Sequence, residues 1–167
     1  MPENDLNIKD IKDKEATKPE NKEPIDILLV EDNDQDIKIT LRAFSKAKIK
    51  NNIHVVVDGQ EALDYIYNNE KYKNVKDATT PDLILLDIGL PKISGFDVLK
   101  KLKEDSNLKH IPVVMLTSSK NEEDIVKSYD YGASSYIPKP VSYEEFEKVV
   151  DGFNFYWNII NKLPDLK

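Results

Sequence analysis

The sequence contains no cysteine among its 167 residues. This absence excludes disulfide bonds, thiolate metal sites and thiol nucleophiles. It agrees with a reducing compartment, and we expect a cytoplasmic protein. No apolar stretch approaches the roughly 20 residues that a membrane-spanning helix needs, and no signal-like segment follows Met1. We therefore expect no membrane association.

Acidic residues outnumber basic ones, 31 to 24, and arginine is almost absent. The net charge is −7, and Arg42 is the only arginine. Binding to a phosphate backbone needs a basic face, and arginine is the usual bidentate reader of guanine. The composition therefore argues against a nucleic-acid partner.

What the sequence does contain is two apolar runs that end in acid. Residues 27–30 lead directly into Glu31 and Asp32, and residues 83–86 lead into Asp87. A short apolar run closed by turn residues is typical of a strand buried on both faces of a parallel sheet. Acidic residues also occur after strands simply because they begin loops or cap helices. For a single strand followed by an acid, that explanation would suffice. Two matched strands instead predict three converging carboxylates, an arrangement that is unfavourable unless a cation lies among them or one of them is protonated. We therefore predict a divalent metal, and oxygen ligands of this kind suit Mg²⁺.

The chain divides into three parts. Residues 1–24 are charged and polar, which predicts a disordered tail. Residues 25–163 form the expected domain, in which apolar runs alternate with helical periodicity, and residues 164–167 are the C-terminal end. A polar stretch over 68–80 is expected to be a surface connection. The predicted strands lie at 27–30, 53–57, 83–86, 112–116 and 135–137, and the predicted helices at about 34–48, 60–67, 94–104, 122–132 and from 142 onward. Strands and helices alternating in this way predict an α/β doubly wound parallel sheet.

In such a sheet, ligands bind outside the carboxyl ends of the strands. The strand ends carry five polar side chains: Glu31, Asp32, Asp87, Thr117 and Lys139. No glycine-rich phosphate loop is present, so a nucleotide is not the obvious ligand. Thr117 alone could be an ordinary strand-end hydroxyl, and Lys139 alone a solvated surface charge. Together with the acids and a metal they suit an incoming phosphoryl group, whose oxygens the metal and lysine neutralise and the hydroxyl contacts.

A set of residues at and near the strand ends carries a family resemblance. They are Glu31-Asp32, Asp87 followed by Leu90-Pro91 and Gly95, Thr117, Tyr136 and Lys139-Pro140. Over about residues 25–161 the chain resembles the receiver domain of two-component response regulators. The connection 68–80 and the aromatic end 153–164 most resemble stand-alone regulators partnered with phytochrome-type histidine kinases. The resemblance implies a CheY-like, flavodoxin-like (βα)5 fold with the sheet order 2-1-3-4-5.

The resemblance also implies roles for the acids. Asp87 would be the phosphoacceptor, taking a phosphoryl group from the phosphohistidine of a sensor histidine kinase. Asp32 and Asp87 would bind Mg²⁺ through carboxylate oxygens, Glu31 would act through a bound water, and Gly89 would add its backbone carbonyl.

The remaining motif residues would convert phosphorylation into a change of shape. Lys139 would pair with the phosphoryl oxygens, helped by a cis bond to Pro140. Thr117 would move toward the phosphoryl group, and Tyr136 would swing inward as Thr117 leaves its place. The surface formed by the fourth helix, fifth strand and fifth helix would change in consequence.

The last helix has more apolar residues than one sheet face can cover. One face holds Phe146, Val149, Val150, Phe153, Trp157 and Ile160, and Phe155, Tyr156 and Ile159 widen the arc. Scattered surface apolar residues are normal, but we favour a homodimer that uses the switch surface.

Three other functions remain to be weighed against a single-domain signalling switch whose output is binding. A phosphatase or mutase with an aspartyl nucleophile carries a second acid two residues later, where this chain has Gly89. An adaptor that works without phosphate would be expected to have lost some of the polar residues at the strand ends. This chain keeps them at Asp32, Asp87, Thr117 and Lys139. A flavin carrier would need a phosphate-binding loop after the first strand. The signalling switch is therefore the preferred function, with self-phosphorylation and self-dephosphorylation as its only chemistry, and its stimulus and output partner left open.

Overall fold

The protein structure is a computed structural model that describes residues 24–46, 50–74, 80–118 and 121–142, with Glu144, Glu145 and Lys148. Strands and helices alternate through this part of the chain. In order they are β1 (Ile25–Val30), α1 (Asp34–Ser45), β2 (Asn51–Val56), α2 (Gly59–Ile66), a short 3-10 helix (Glu70–Tyr72), β3 (Leu83–Asp87), α3 (Gly95–Glu104), β4 (Val113–Thr117), α4 (Glu122–Asp130) and β5 (Ser135–Pro138).

The five strands form one parallel sheet with the order β2-β1-β3-β4-β5. The predicted fold class and sheet order are therefore confirmed. The strand order reverses between β1 and β3, where Val30 lies opposite Leu86. Ligands of doubly wound sheets bind at such a reversal, so this edge is the expected place for a site.

The central strands are apolar because both of their faces are covered. All five residues of β3 and all five of β4 are buried. Alternate side chains of β3 enter two separate cores, with Ile84 and Leu86 on one face and Leu83 and Leu85 on the other. A strand buried on both faces needs apolar residues without alternation, which explains the unbroken runs in the sequence.

The helices α1 to α4 begin with polar caps. In each of these helices a side chain accepts a backbone N–H of the first turn. The capping residue is Asn33 for α1, Asp58 for α2, Ser94 for α3 and Asn121 for α4. The predicted pair at α3 is confirmed, since Ser94 Oγ accepts the N–H of Asp97 at 3.2 Å. Capping satisfies N–H groups that have no partner within the helix and starts each helix beyond a strand's carboxyl end.

One connection differs from the prediction. The polar stretch 68–80 was expected to lie on the surface, but Tyr72 within it is only 6% exposed and packs into the core. Its ring makes an edge-to-face contact with Tyr65 at 5.1 Å, and its hydroxyl donates to Glu61 at 2.9 Å. A single aromatic residue therefore anchors a connection whose average composition is polar.

Several predictions fall on residues that the structure does not describe. The tail is described only at Pro24, and the apolar arc of the last helix lies outside the described residues. The N–H of Glu145 donates to Ser142 Oγ at 3.2 Å, as the expected start of that helix requires. The domain boundaries at residues 24 and 163 stay predictions. No helix in the described part of the chain is both long and apolar enough to cross a bilayer.

Candidate functional site

The predicted site residues lie together at the carboxyl edge of the sheet. Glu31 and Asp32 follow β1, and Asp87 ends β3, the neighbouring strand. One carboxylate oxygen from each of the three lies within 4.8 Å of the others. The convergence predicted from the two apolar runs is thus present in the fold.

The three carboxylates differ in their access to water. Glu31 is 1% exposed and Asp87 is 6% exposed, whereas Asp32 is open to solvent. Removing a carboxylate from water is costly unless a cation or hydrogen bonds compensate its charge. Two of these acids therefore depend on a nearby positive group.

Lys139 supplies that positive group. Its ammonium lies 2.6 Å from Glu31 Oε2, 3.0 Å from Asp87 Oδ1 and 3.2 Å from Asp36 Oδ2. The Lys139 backbone N–H donates to the carbonyl of Thr117 at 2.7 Å, and the next peptide bond, to Pro140, is cis, as the resemblance implied. The lysine is therefore held at the sheet edge through both its backbone and its side chain.

The environment shifts the pKa of both partners in the closest ion pair. Burial alone would lower the pKa of Lys139, but its contacts with Glu31 and Asp87 outweigh burial and raise it. Burial raises the pKa of Glu31, while Lys139 and the N–H of Asn33 act in the opposite direction. Glu31 Oε2 has the lysine as its ion-pair partner but no aligned hydrogen bond.

A divalent cation fits this set of groups. When ionised, Glu31, Asp32, Asp87 and Asp36 carry four negative charges, and the Lys139 ammonium that three of them contact compensates one. Carboxylate oxygens close together on a partly open edge are the ligands that hard cations such as Mg²⁺ prefer.

Gly95 brings α3 against the backbone of Asp87. Its N–H donates to the carbonyl of Ile88 at 3.0 Å, and a Cβ placed on Gly95 would overlap the carbonyl oxygen of Asp87. Gly89, in contrast, is exposed and has no atom within 4 Å of the corresponding position. The predicted metal-binding role of the Gly89 carbonyl stays a prediction.

The far end of the loop after Asp87 is tied to the start of α2. Ile93 donates its N–H to Pro91 at 2.9 Å across Lys92, whose φ is 64°. The Lys92 ammonium lies 3.1 Å from Asp58, the residue that caps α2. The N–H of Gly59 also points at the Pro91 carbonyl at 3.5 Å. These contacts fix the loop that carries the proposed metal ligand.

The contact between Asp58 and Lys92 predicts a pH-dependent stability. Burial alone would raise the pKa of Asp58, but the N–H of Glu61 and the Lys92 ammonium outweigh burial and lower it. Such a carboxylate stabilises the fold above its unfolded pKa of about 3.9, and the stabilisation disappears as the pH falls through the folded value. We expect Asp58→Asn to lower the free energy of unfolding by about 0.5–1 kcal/mol at neutral pH. Urea denaturation should show this difference shrinking below about pH 4, and an unchanged difference there would contradict the prediction.

The two predicted switch residues lie on adjacent strands. Thr117 is 3% exposed at the end of β4, next to the strand of Asp87. Tyr136 is half-buried in β5, and its ring meets Tyr129 of α4 edge-to-face at 6.1 Å. Tyr136 therefore lies between the sheet edge and the exposed surface of α4.

Asp36 was not predicted from the sequence. It lies in the first turn of α1 and contacts the same ammonium as Glu31 and Asp87. A first-turn residue of a helix that follows a site-bearing strand lies near the same edge of the sheet. That position was the only signal in the sequence that could have identified Asp36.

Comparison with known proteins adds independent observations. Residues 27–151 match the profile of the response regulator receiver domain family. The probable methanogenesis regulatory protein FilR2 of Methanothrix harundinacea is 36% identical over 87% of this chain and 91% of its own length. The response regulator Rcp1 of Synechocystis sp. is 35% identical over 87% of this chain and 97% of its own length.

Solved structures of response regulators are also similar to this chain in sequence and fold. The bacteriophytochrome response regulator AtBRR is 41% identical with a TM-score of 0.73, covering 86% of this chain and 99% of that one. The Mn²⁺-bound form of Rcp1 has 35% identity and a TM-score of 0.67, with coverages of 84% and 99%. The phosphorylated cyanobacterial phytochrome response regulator RcpA has 39% identity and a TM-score of 0.69, with coverages of 86% and 100%.

Proposed function

Because this chain belongs to the response regulator receiver family, whose members are signalling proteins, we propose that Asp87 accepts a phosphoryl group from a histidine kinase. One observation carries the proposal: Asp87 is a buried residue whose carboxylate is clustered with those of Glu31 and Asp32 and lies 3.0 Å from the Lys139 ammonium. An acceptor carboxylate beside a metal site and a fixed cation suits phosphoryl transfer.

The proposed transfer forms one bond and breaks another. An Asp87 oxygen attacks phosphorus, and the bond between phosphorus and the imidazole nitrogen of the kinase breaks. The nitrogen keeps the electron pair and takes up a proton from solvent. Lys139 then pairs with the phosphoryl oxygens, and the Thr117 hydroxyl donates to them. Water later attacks phosphorus, which restores the carboxylate and releases inorganic phosphate.

We assign the metal site to Glu31, Asp32, Asp87 and the carbonyl of Gly89, with Mg²⁺ as the ion. When bound, Mg²⁺ neutralises negative charge on the phosphoryl oxygens. The Mn²⁺-bound form of Rcp1 and the phosphorylated form of RcpA support a site of this kind in relatives. The carboxylate cluster of this chain supports it here.

We propose a sensor histidine kinase of the phytochrome type as the partner. Support comes from AtBRR and RcpA, both of which are phytochrome response regulators. Histidine kinases take their phosphoryl group from ATP, which places the proposed reaction in the cytoplasm. The chain covers more than nine tenths of the length of FilR2 and Rcp1, which supports a regulator whose receiver domain itself binds the output partner.

Incubation with Mg²⁺ and acetyl phosphate tests the central assignment. We expect a mass increment of one phosphoryl group, located on Asp87 by peptide mapping and absent without Mg²⁺. Asp87→Asn should abolish the adduct, because an amide is not a phosphoacceptor. Asp34→Asn, at an exposed acid of α1, is the matched control and should keep it. An adduct that persists in Asp87→Asn would refute the assignment.

We further propose that α4, β5 and the last helix form the switch surface and a homodimer interface. Two exposed apolar residues of α4 support this, since Val126 is 58% exposed and Tyr129 is 48% exposed. Light scattering with and without beryllofluoride, a phosphoryl mimic, should detect a dimer in at least one state. Val126→Lys should weaken the dimer, whereas Ile39→Lys on the exposed surface of α1 should not. A monomer under both conditions would remove the proposal.

A further inference from the structure

One ammonium at the site is shared among three carboxylates. Lys139 contacts Glu31 and Asp87, both of which we assign to the metal site, and also contacts Asp36 at 3.2 Å. Three carboxylates therefore already lie within 3.2 Å of one ammonium group, which has only three N–H donors. A phosphoryl group on Asp87 must therefore compete with these carboxylates for the ammonium.

Asp36 is the partner whose release costs least. Its side chain is 29% exposed, whereas those of Glu31 and Asp87 are 1% and 9% exposed. Water can solvate Asp36 once the lysine has moved, but a buried carboxylate would be left without compensation. The exposed contact therefore competes with the phosphoryl group without being required for the metal site.

We propose that Asp36 is a positioning residue that holds Lys139 in the unphosphorylated site and releases it to an arriving phosphoryl group. Asp36 thereby lowers the affinity of the site for phosphoryl oxygens and biases the switch toward its resting state. The inference rests on the proposed function, because it assumes that a phosphoryl group occupies Asp87.

A purely local role for Asp36 is the alternative. Acids in the first turn of a helix are stabilised by the helix dipole, and Asp36 could serve only that purpose. Asp34 lies in the same turn of α1 and is exposed, and it provides the matched control. The Asn33 cap accepts the backbone N–H of Asp36, so replacing the Asp36 side chain leaves that cap intact.

Binding of beryllofluoride at saturating Mg²⁺, followed by ¹⁹F NMR, tests the proposal. We expect Asp36→Asn to bind the mimic about two- to fivefold more tightly than the wild type, as expected for loss of a partly exposed ion pair. Asp34→Asn should bind like the wild type, and Asp36→Glu should return toward the wild-type affinity. In metal-free protein, the ¹⁵N signal of the Lys139 ammonium should shift in Asp36→Asn and stay unchanged in Asp34→Asn.

Two results would overturn the proposal, and they differ in what else they exclude. Equal effects of Asp36→Asn and Asp34→Asn would overturn the role of Asp36 alone, because both would then reflect the helix dipole. Failure of the wild type to bind the mimic, with a folded protein and ample Mg²⁺, would overturn the proposed function together with this inference.

Discussion

Replacing Lys139 with methionine is expected to lower the free energy of unfolding of the metal-free protein by about 3–5 kcal/mol. The variant would leave Glu31, 1% exposed, and Asp87, 6% exposed, without their shared counter-charge. Breaking a buried ion pair by removing one partner is costly because the other partner stays buried and charged. The aliphatic part of methionine fills similar space, so lost packing contributes little.

The metal should oppose this loss. Mg²⁺ binds the folded protein, and its stabilising effect grows with its affinity for the site. Because Lys139→Met makes the site more negative, we expect added Mg²⁺ to stabilise the variant more than the wild type. Urea denaturation with EDTA and with Mg²⁺ measures both effects.

Two further variants make the Lys139 prediction specific. Lys148→Met removes a lysine whose side chain is 74% exposed and which pairs with Glu145 at 3.4 Å, so the change should stay within about 1 kcal/mol. Adding Glu31→Gln to Lys139→Met should recover part of the lost stability, because one buried charge is then absent. A loss for Lys139→Met no larger than that for Lys148→Met would contradict the account of the site.

The second large effect is expected at Gly95. In Gly95→Ala the new Cβ would overlap the carbonyl oxygen of Asp87 and lie 2.9 Å from its carbonyl carbon. Backbone cannot move aside as a flexible side chain can, so α3 and the end of β3 must separate. We expect a loss of about 3 kcal/mol in the free energy of unfolding, together with loss of phosphoryl acceptance as Asp87 shifts.

Gly89→Ala is the matched control for Gly95→Ala. No atom lies within 4 Å of a Cβ at Gly89, and the residue is exposed. The same added methyl group should therefore change the free energy of unfolding by no more than about 0.5 kcal/mol. Urea denaturation of both variants provides the comparison, and acetyl phosphate labelling of Gly95→Ala measures the loss of phosphoryl acceptance. Equal stability of the two variants would show that α3 does not press on Asp87.

The fold was predictable because buried parallel strands leave a strong pattern. The run 83–86 is apolar without alternation because β3 is covered on both faces, and the runs around β1 and β4 have the same origin. Helix starts were also predictable where a cap was present, as at Ser94. The end of α1 was less predictable. The apolar periodicity suggested that the helix ends at about residue 48, whereas in the structure it ends at Ser45.

Part of the site was predictable for a related reason. Glu31, Asp32 and Asp87 directly follow apolar runs, so their position along the chain also gives their position at the sheet edge. Asp36 belongs to a helix, and its contact with Lys139 joins residues 103 positions apart. Tyr72 lies in a polar stretch, and its burial against Tyr65 depends on how that stretch folds back onto the core. No local pattern marks such contacts.

The sequence by itself determined which strands are buried and which end of the sheet carries the acids, since apolar runs and their neighbours are properties of adjacent residues. Only the tertiary structure decided how many carboxylates share Lys139, how closely Gly95 approaches Asp87 and which carboxylates are withdrawn from water. These are distances between residues far apart in the chain. They depend on how the sheet and helices pack, and electrostatic and steric energies depend on those distances.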